Sequence, residues 1–347
     1  MPTDTSKPLI VVCGATGAQG SSVVEYLLRD GGYRVRALTR NPDGASAKQL
    51  RNRGVDVVMC DIGILEQVVL AFTGAYAVYG VTNFWEHGEA AEIQQGKNLA
   101  DAAKACGVRH FIWPSLPHVP VIEPRHWESK ITVGKYLNDI GVPTTALLTP
   151  FFFENLWRVL PIKTLPDGTF RLDWFWPSET LVPSFAAEDI GAWVSILDDI
   201  SLRTVINIRL PGSRRAKKSQ DMDCICVQKP TPLDYAATLT KVLGVHVVPR
   251  QVSVAEFDAV RPYVPDDLWL NMKAFLDHPE LWKDAIEPCR KLHLEAQTLE
   301  QYIANHREQI LGAAEPMAQA VLVNRKHYKA CIFHDESTNI MKGGLCR

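Results

Sequence analysis

Residues 9–20, LIVVCGATGAQG, decide the fold. Leu9–Val12 is an unbroken apolar run of the length that a buried strand needs. It breaks at Gly14, and the spacing Gly14-x-x-Gly17-x-x-Gly20 follows. An apolar repeat at Val23, Val24, Leu27 and Leu28 then marks one face of a helix. Strand, glycine turn and helix are together the context of a dinucleotide site. Gly14 allows the sharp turn, Gly17 lets the backbone approach a pyrophosphate, and Gly20 lets the helix pack close to the sheet. The unpaired N–H groups at the helix start, aided by the helix dipole, attract the phosphates. A turn that used glycine for packing alone accounts for Gly20 but poorly for Gly14 and Gly17.

The segments that follow alternate between the two periodicities. Tyr33–Thr39, Val55–Cys60, Ala75–Val81, Val108–Trp113 and Val142–Leu148 read as further strands. Helical stretches lie between them at Ala45–Asn52, Ile64–Phe72, Glu89–Cys106 and around Val133, Tyr136, Leu137 and Ile140. Six strands alternating with helices predict an α/β, Rossmann-type doubly wound parallel sheet. A smaller α+β C-terminal domain is expected after it, with residues 1–150 and 151–310 as the two domains and 311–347 as an irregular tail.

The end of the second strand bears on cofactor type. An acidic residue there hydrogen-bonds the ribose 2′-OH of NAD, whereas an arginine accommodates the 2′-phosphate of NADP. Arg40 stands at that position, followed by the turn Asn41-Pro42-Asp43-Gly44, so NADP is favoured. Asp61, after the third strand, suits either an adenine or ribose contact or the N-cap of the helix after it. Thr82 and Asn83 end the fourth strand on the ribose side. Phe84 and Trp85 follow, either as walls of a nicotinamide pocket or as core.

Composition sets the outer bounds. Of the 347 residues, 46% are apolar and 22% charged, which is typical of a globular chain. A net charge of −2 gives no electrostatic case for nucleic acid or an anionic membrane. No signal-like segment is visible, so a cytoplasmic protein is expected. The eight cysteines form no C-x-x-C pair and no metal-ligand spacing, and reduced thiols are the expectation.

Six stretches in order carry a resemblance: GATGAQG (14–20), VRALTRNP (35–42), YGVTNFWE (79–86), HWESK (126–130), DIGVPTT (139–145) and PFFFENL (150–156). Together they resemble the NmrA-like family of atypical short-chain dehydrogenase/reductases, related to isoflavone and benzylic ether reductases. The resemblance implies an NADP-binding Rossmann domain with a small domain over the nicotinamide end. Carried over by position, Gly14, Ala15, Thr16, Gly17, Ala18 and Gln19 form the phosphate loop. Arg40, Asn41, Pro42, Asp43 and Gly44 surround the 2′-phosphate, although Asp43 and Gly44 stand where relatives often carry basic residues. Asp61 and Ile62 flank the adenine; Thr82, Asn83 and Phe84 lie beside the ribose and nicotinamide. Lys130 meets the nicotinamide ribose, and Phe152, Phe153, Glu154 and Asn155 close over the nicotinamide.

Short-chain dehydrogenases use a Tyr-x-x-x-Lys pair, and here His126 stands four residues before Lys130. Positions i and i+4 share a helix face, and a histidine is a competent general acid or base. Three readings stay open: both residues catalytic, Lys130 alone catalytic or ribose-binding, or both structural. Ser115, after the fifth strand, suits either a substrate carbonyl or a loop cap.

The aromatic run Phe151, Phe152, Phe153 and Trp157 fits a flat aromatic substrate or a seam between domains. Thr169–Trp176 and Thr204–Leu210 read as strands. Glu188–Leu197, Asp234–Leu243, Val254–Val260, Asp266–Leu276 and Leu299–His306 read as helices. Residues 213–227, SRRAKKSQDMDCICV, read as an inserted surface loop. Two functions are consistent with these residues. One is an NADP(H)-dependent oxidoreductase reducing a small aromatic metabolite, as in secondary metabolism. The other is a redox sensor that binds NADP and regulates a protein partner.

Overall fold

The structure is a computed structural model, and it describes residues 6–198, 221–292 and 295–316. Strands β1 (Leu9–Val12), β2 (Arg34–Thr39), β3 (Asp56–Met59), β4 (Ala77–Tyr79), β5 (His110–Ser115) and β6 (Thr144–Leu148) are joined by helical crossovers. All are parallel, in the order β6-β5-β4-β1-β2-β3. This is the doubly wound order, whose direction reverses between β1 and β4 and opens a crevice at their carboxyl ends.

Helices α1 (Ala18–Asp30), α2 (Ala45–Asn52), α3 (Leu65–Phe72), α4 (Phe84–His87), α5 (Glu89–Ala105) and α6 (Arg125–Asp139) supply the crossovers. β1 has apolar residues on both faces because helices cover both. Ile10 and Val12 pack with Val23, Val24 and Leu27 of α1. Leu9 and Val11 pack with α3, α5 and α6 through Phe72, Leu99 and Val133. Val11, Val12, Val23 and Val24 are fully buried, and each such side chain is stabilised by about 1.5–3 kcal/mol relative to exposure.

A seventh parallel strand, Asp221–Cys224, extends the sheet along β6, in register from Asp221↔Thr145 to Cys224↔Leu148. The expected inserted loop over 213–227 is therefore corrected for its second half. Ile225, Cys226 and Val227 are buried in the cores, because an apolar run beside an open sheet edge gains both ladder hydrogen bonds and burial. Residues 213–220 and the strand expected at Thr204–Leu210 lie outside the described residues.

The polypeptide after β6 builds a second core. Four short strands form a small sheet: Lys163–Thr164, Phe170–Leu172, Val247–Pro249 and Glu315–Pro316. Of the strand expected over Thr169–Trp176, only Phe170–Leu172 pairs. Trp174, Phe175 and Trp176 turn inward instead, with the two indoles stacked at 4.7 Å. Helices Pro232–Leu243, Val254–Val260 and Leu299–Asn305 each begin with a reciprocal capping box, at Thr231/Asp234, Ser253/Glu256 and Thr298/Gln301. The tail expected to be irregular from 311 holds order at its start. Helix Arg307–Gly312 runs into it, and Glu315–Pro316 pairs with Lys163–Thr164. Residues 317–347 lie outside the described residues. Among the described residues, no helix is long and apolar enough to cross a membrane.

Candidate functional site

The crevice is built first by the glycine turn. Gly14 adopts φ +57°, and a Cβ on it meets Val81 Cγ1 at 2.9 Å. A Cβ on Gly20 falls 2.2 Å from the carbonyl oxygen of Gly14, so only glycine lets α1 lie this close to the turn. Gly17 is different. It is exposed, its φ of −89° suits any residue, and an added Cβ stays 3.4 Å from its nearest neighbour. Among the described residues, none requires glycine there.

Gly17 is also the N-cap of α1, and no side chain caps this end or places an acid in its first turn. The N–H groups of Ala18, Gln19 and Gly20 have no intrahelical acceptor. Ala15 is buried under the turn, and Thr16 stands half-buried on it. The Gln19 side chain accepts a hydrogen bond from the Tyr79 hydroxyl at 2.7 Å, which leaves its backbone as the part that faces the crevice.

Arg40 lies at the end of β2, exposed. Its guanidinium makes a two-pronged pair with Glu86 of α4: Nη1 bonds Oε1, and Nη2 bonds Oε2 at 3.1 Å. The turn after it is braced internally. The Asn41 carbonyl accepts from Gly44 N, and the Pro42 carbonyl accepts from Arg51 Nη1 at 2.7 Å. Asp43 is exposed and Gly44 is the N-cap of α2. Asp61 holds its own turn by accepting from Gly63 N at 2.8 Å. It is not the cap of α3, whose N-cap is Ile64. The Ile62 carbonyl accepts from Asn98 Nδ2 at 3.0 Å.

A buried polar cluster lies at the carboxyl end of β4. Glu92 of α5 is fully buried. Its Oε1 accepts from Lys130 Nζ and from Thr82 Oγ1, each at 2.8 Å, and its Oε2 accepts from Ser129 Oγ. Burial pushes the Glu92 carboxyl up, but the Lys130 ammonium beside it and the three hydrogen bonds outweigh that and hold it below the usual range. Lys130 Nζ also sits 5.6 Å above the Trp113 ring, and the Trp113 indole donates to the Lys130 carbonyl. The lysine is thus fixed by helix, sheet and carboxylate together.

His126 faces elsewhere. Its Nδ1 meets Asp267, a buried carboxylate on the helix Asp266–Asp277. The same carboxylate accepts from the backbone N–H groups of Arg125 and His126, and so caps α6, which has no cap of its own. Burial raises the Asp267 carboxyl, and the His126 hydrogen bond and charge, with the two N–H donors, bring it below its ordinary value. His126 and Lys130 share a helix face but engage different partners, Asp267 and Glu92.

Phe84 and Trp85 are half-buried. Their rings lie 5.8 and 5.1 Å from that of His126, and Asn83 Oδ1 caps α4 through Trp85 N. In the segment after β6, Phe152 and Asn155 keep exposed surface, whereas Phe153 and Glu154 are buried. Phe153 packs on Tyr302 at 5.5 Å, and Glu154 accepts from Ala187 N and Glu188 N. Ser115 is buried as the last residue of β5.

Sequence reasoning missed Glu86, Glu92, Ser129 and Asp267. Glu92 left a signal, an acid on the buried α5 stripe shared with Gly96, Leu99 and Ala103. Glu86 and Asp267 meet partners 46 and 141 residues away, which no local spacing reveals.

Comparison with known proteins shows the family and the fold. The sequence model of the NmrA-like family matches residues 6–214. An NmrA-like family domain-containing protein of Dictyostelium discoideum is 32% identical over 157 residues, 42% of this chain and 52% of that protein. The NmrA-like family domain-containing oxidoreductase ptmS of Penicillium ochrochloron is 30% identical over 220 residues, 57% of this chain and 62% of that one. The chain thus spans about half the length of the curated relatives it matches. Among solved structures, NmrA, a negative transcriptional regulator, superimposes with a TM-score of 0.70 at 22% identity, covering 88% of this chain and 98% of that one. An NADPH-dependent quinone oxidoreductase of Escherichia coli, complexed with NADPH, gives 0.64 at 24% identity over 85% of this chain and 99% of its own.

Proposed function

This chain belongs to the NmrA-like family, and from that membership and the crevice geometry we propose that it is an NADP(H)-linked oxidoreductase acting on a small aromatic molecule. The observation that carries the reading is Gly17, a glycine with no internal need for one, at an uncapped helix start that faces the sheet crevice. The diphosphate fits there, on the N–H groups of Ala18, Gln19 and Gly20. Arg40 is placed for the 2′-phosphate, with Asn41, Pro42, Asp43 and Gly44 shaping its turn, and Asp61 and Ile62 border the adenine side. Relatives named as oxidoreductases and a neighbour complexed with NADPH support the same reading.

When bound, the nicotinamide supplies or accepts a hydride at its ring. The chain's own part is positioning and proton management. Thr82 and Asn83 line the ribose side, and Phe84, Trp85 and Phe152 offer half-buried aromatic walls for a flat substrate. Lys130 is the cation of the pocket. Its Nζ is held 2.8 Å from Glu92 Oε1, and its other N–H groups donate hydrogen bonds to a ribose hydroxyl or a developing substrate oxygen. His126 acts as a positioning residue for the aromatic wall.

The test is calorimetric titration with NADPH, followed by NADPH oxidation at 340 nm against carbonyl, imine and enone panels. Lys130→Met is expected to lower turnover at least about 100-fold while the protein stays folded. Absence of binding heat from NADPH and NADH alike sinks the proposal.

One observation favours a second reading, a sensor that regulates a protein partner. The residue in the tyrosine position, His126, is held by Asp267 on a helix of the second core, which ties that core to the start of α6. A relative in Emericella nidulans is named as a nitrogen metabolite repression protein. Partner capture at fixed NADPH/NADP ratios decides between them: a ratio-dependent partner with no turnover supports the sensor.

A further inference from the structure

The end of β2 carries no acid, which is what favours NADP over NAD in the sequence. The fold supplies one from another element. Glu86, the third residue of α4, brings its carboxylate across 46 residues of sequence onto both Nη atoms of Arg40. Two-pronged pairing uses the same edge of a guanidinium that grips a phosphate. His87 Nε2 lies 3.3 Å from the same carboxylate. Asp43 is exposed in the same turn, and Arg51 bonds the Pro42 carbonyl and lies 3.9 Å from Asp43.

We propose that Glu86 is the residue that sets nucleotide preference, by competing with the 2′-phosphate of NADP(H) for Arg40. The inference rests on the dinucleotide reading above and adds its selectivity. A 2′-phosphate must displace the carboxylate from the guanidinium, or bind beside it against like charge. NAD(H) has no group that competes, and it enters with the Arg40–Glu86 pair intact. Arg40 thus discriminates less between the two nucleotides than an unopposed arginine does. Both groups are partly exposed, with the Arg40 side chain at 53% and Glu86 at 30%, so the competition is one of screened charges and modest in size.

The position of Glu86 gives the competition a second consequence. It sits in the same four-residue helix as Phe84 and Trp85, the aromatic walls against His126. A phosphate that draws Arg40 away from Glu86 removes a tether from the helix that shapes the substrate side. Nucleotide choice and pocket shape are therefore set by one short element.

Glu86→Gln tests this, because the amide keeps the size and removes the charge at an exposed position. Dissociation constants for NADPH and NADH are measured by calorimetry on the full chain at about 0.02 M and about 0.5 M salt. The variant is expected to bind NADPH about three- to tenfold more tightly at low salt and NADH within about twofold of the parent, with the gain shrinking at high salt. Glu86→Asp, which keeps the charge, is expected to stay near the parental NADPH/NADH ratio. An unchanged ratio in Glu86→Gln, or weaker NADPH binding in it, overturns the proposal while the dinucleotide reading stands. If the parent binds neither nucleotide, both fall together.

Discussion

At the scale of single residues, the glycine turn separates folding from binding. Gly20 and Gly17 look alike in sequence and differ in surroundings. An alanine methyl at 20 meets backbone at 2.2 Å, which cannot yield without moving α1, whereas at 17 it meets nothing closer than 3.4 Å. Gly20→Ala is expected to destabilise the chain by about 2–3 kcal/mol in urea unfolding. Gly17→Ala is expected to stay within about 0.5 kcal/mol of the parent and to lose at least about tenfold in dinucleotide affinity. The Lys130–Glu92 pair makes a prediction of its own. Removing the lysine leaves a buried carboxylate, and Lys130→Met is expected to be destabilised by about 3 kcal/mol at neutral pH. In the parent, the folded Glu92 pKa lies below its usual 4.5, so its contribution is present above 4.5 and lost as pH falls through the folded value. In the variant, the Thr82 and Ser129 hydrogen bonds remain but the Lys130 charge and hydrogen bond are lost, so burial weighs more heavily and the folded pKa rises relative to the parent. The gap between the two proteins is therefore expected to narrow as pH is lowered from about 7 to about 4. A gap that stays constant over that range contradicts the assigned pairing.

Among the elements, the helix Ile190–Asp198 shows how far the crevice depends on parts outside it. It packs on α1 through Gly191, whose N–H bonds Ser22 Oγ at 3.0 Å; an added Cβ there falls 2.3 Å from the Ser22 carbonyl oxygen. Gly191→Ala pushes on the helix whose N-terminus holds the proposed diphosphate. It is expected to destabilise by about 2 kcal/mol and to weaken dinucleotide binding, although residue 191 lies outside the proposed contacts. Loss of stability with affinity untouched removes the coupling. The elements that proved legible are those with a strong local period. The six strands β1–β6 and helices α1, α2, α3, α5 and α6 follow from apolar runs and 3.6-residue stripes, and their ends differ by a residue or two from expectation. The short helix α4 was hidden, because four residues carry no period. The strand Asp221–Cys224 was hidden because its pairing with β6 is decided 76 residues away, by an edge that the local sequence does not show. At the proposed site, the glycine turn was legible and the charge partners were not. Gly14, Gly17, Gly20 and Arg40 stand out by type and spacing. Glu86 on Arg40 and Asp267 on His126 are products of tertiary packing alone.

Across the whole molecule, titratable groups tie the two cores together, and they predict the shape of the stability curve. Glu154, just after β6, is buried and accepts from the N–H groups of Ala187 and Glu188, at the start of the helical stretch that packs against α1. Glu188 in turn accepts from His306 Nε2 and from Gln297 Nε2, near the end of the second core. Burial pushes the Glu154 carboxyl up from 4.5 to about 7, against the two N–H donors. The hydrogen bond and charge of Glu188 raise His306 above its usual 6.5. A raised folded pKa means that the folded state holds the proton more tightly than the unfolded chain. The Glu154 contribution is therefore complete below 4.5 and lost as pH rises to about 7, an interval worth roughly 3 kcal/mol at most. The His306 contribution is present below 6.5 and lost as pH rises through its folded value. Glu92 and Asp267, both lowered, oppose these at the acid end, where stability is lost as pH falls through their folded values. Stability is thus expected to peak near about pH 5 and to decline by about 1–3 kcal/mol toward pH 8, read from urea midpoints at constant ionic strength. Glu154→Gln is expected to flatten the decline between about pH 5 and 7, because its amide does not titrate. Parental stability that rises steadily from pH 5 to 8 would show that Glu154 enters the core as a carboxylate, held by its two N–H donors.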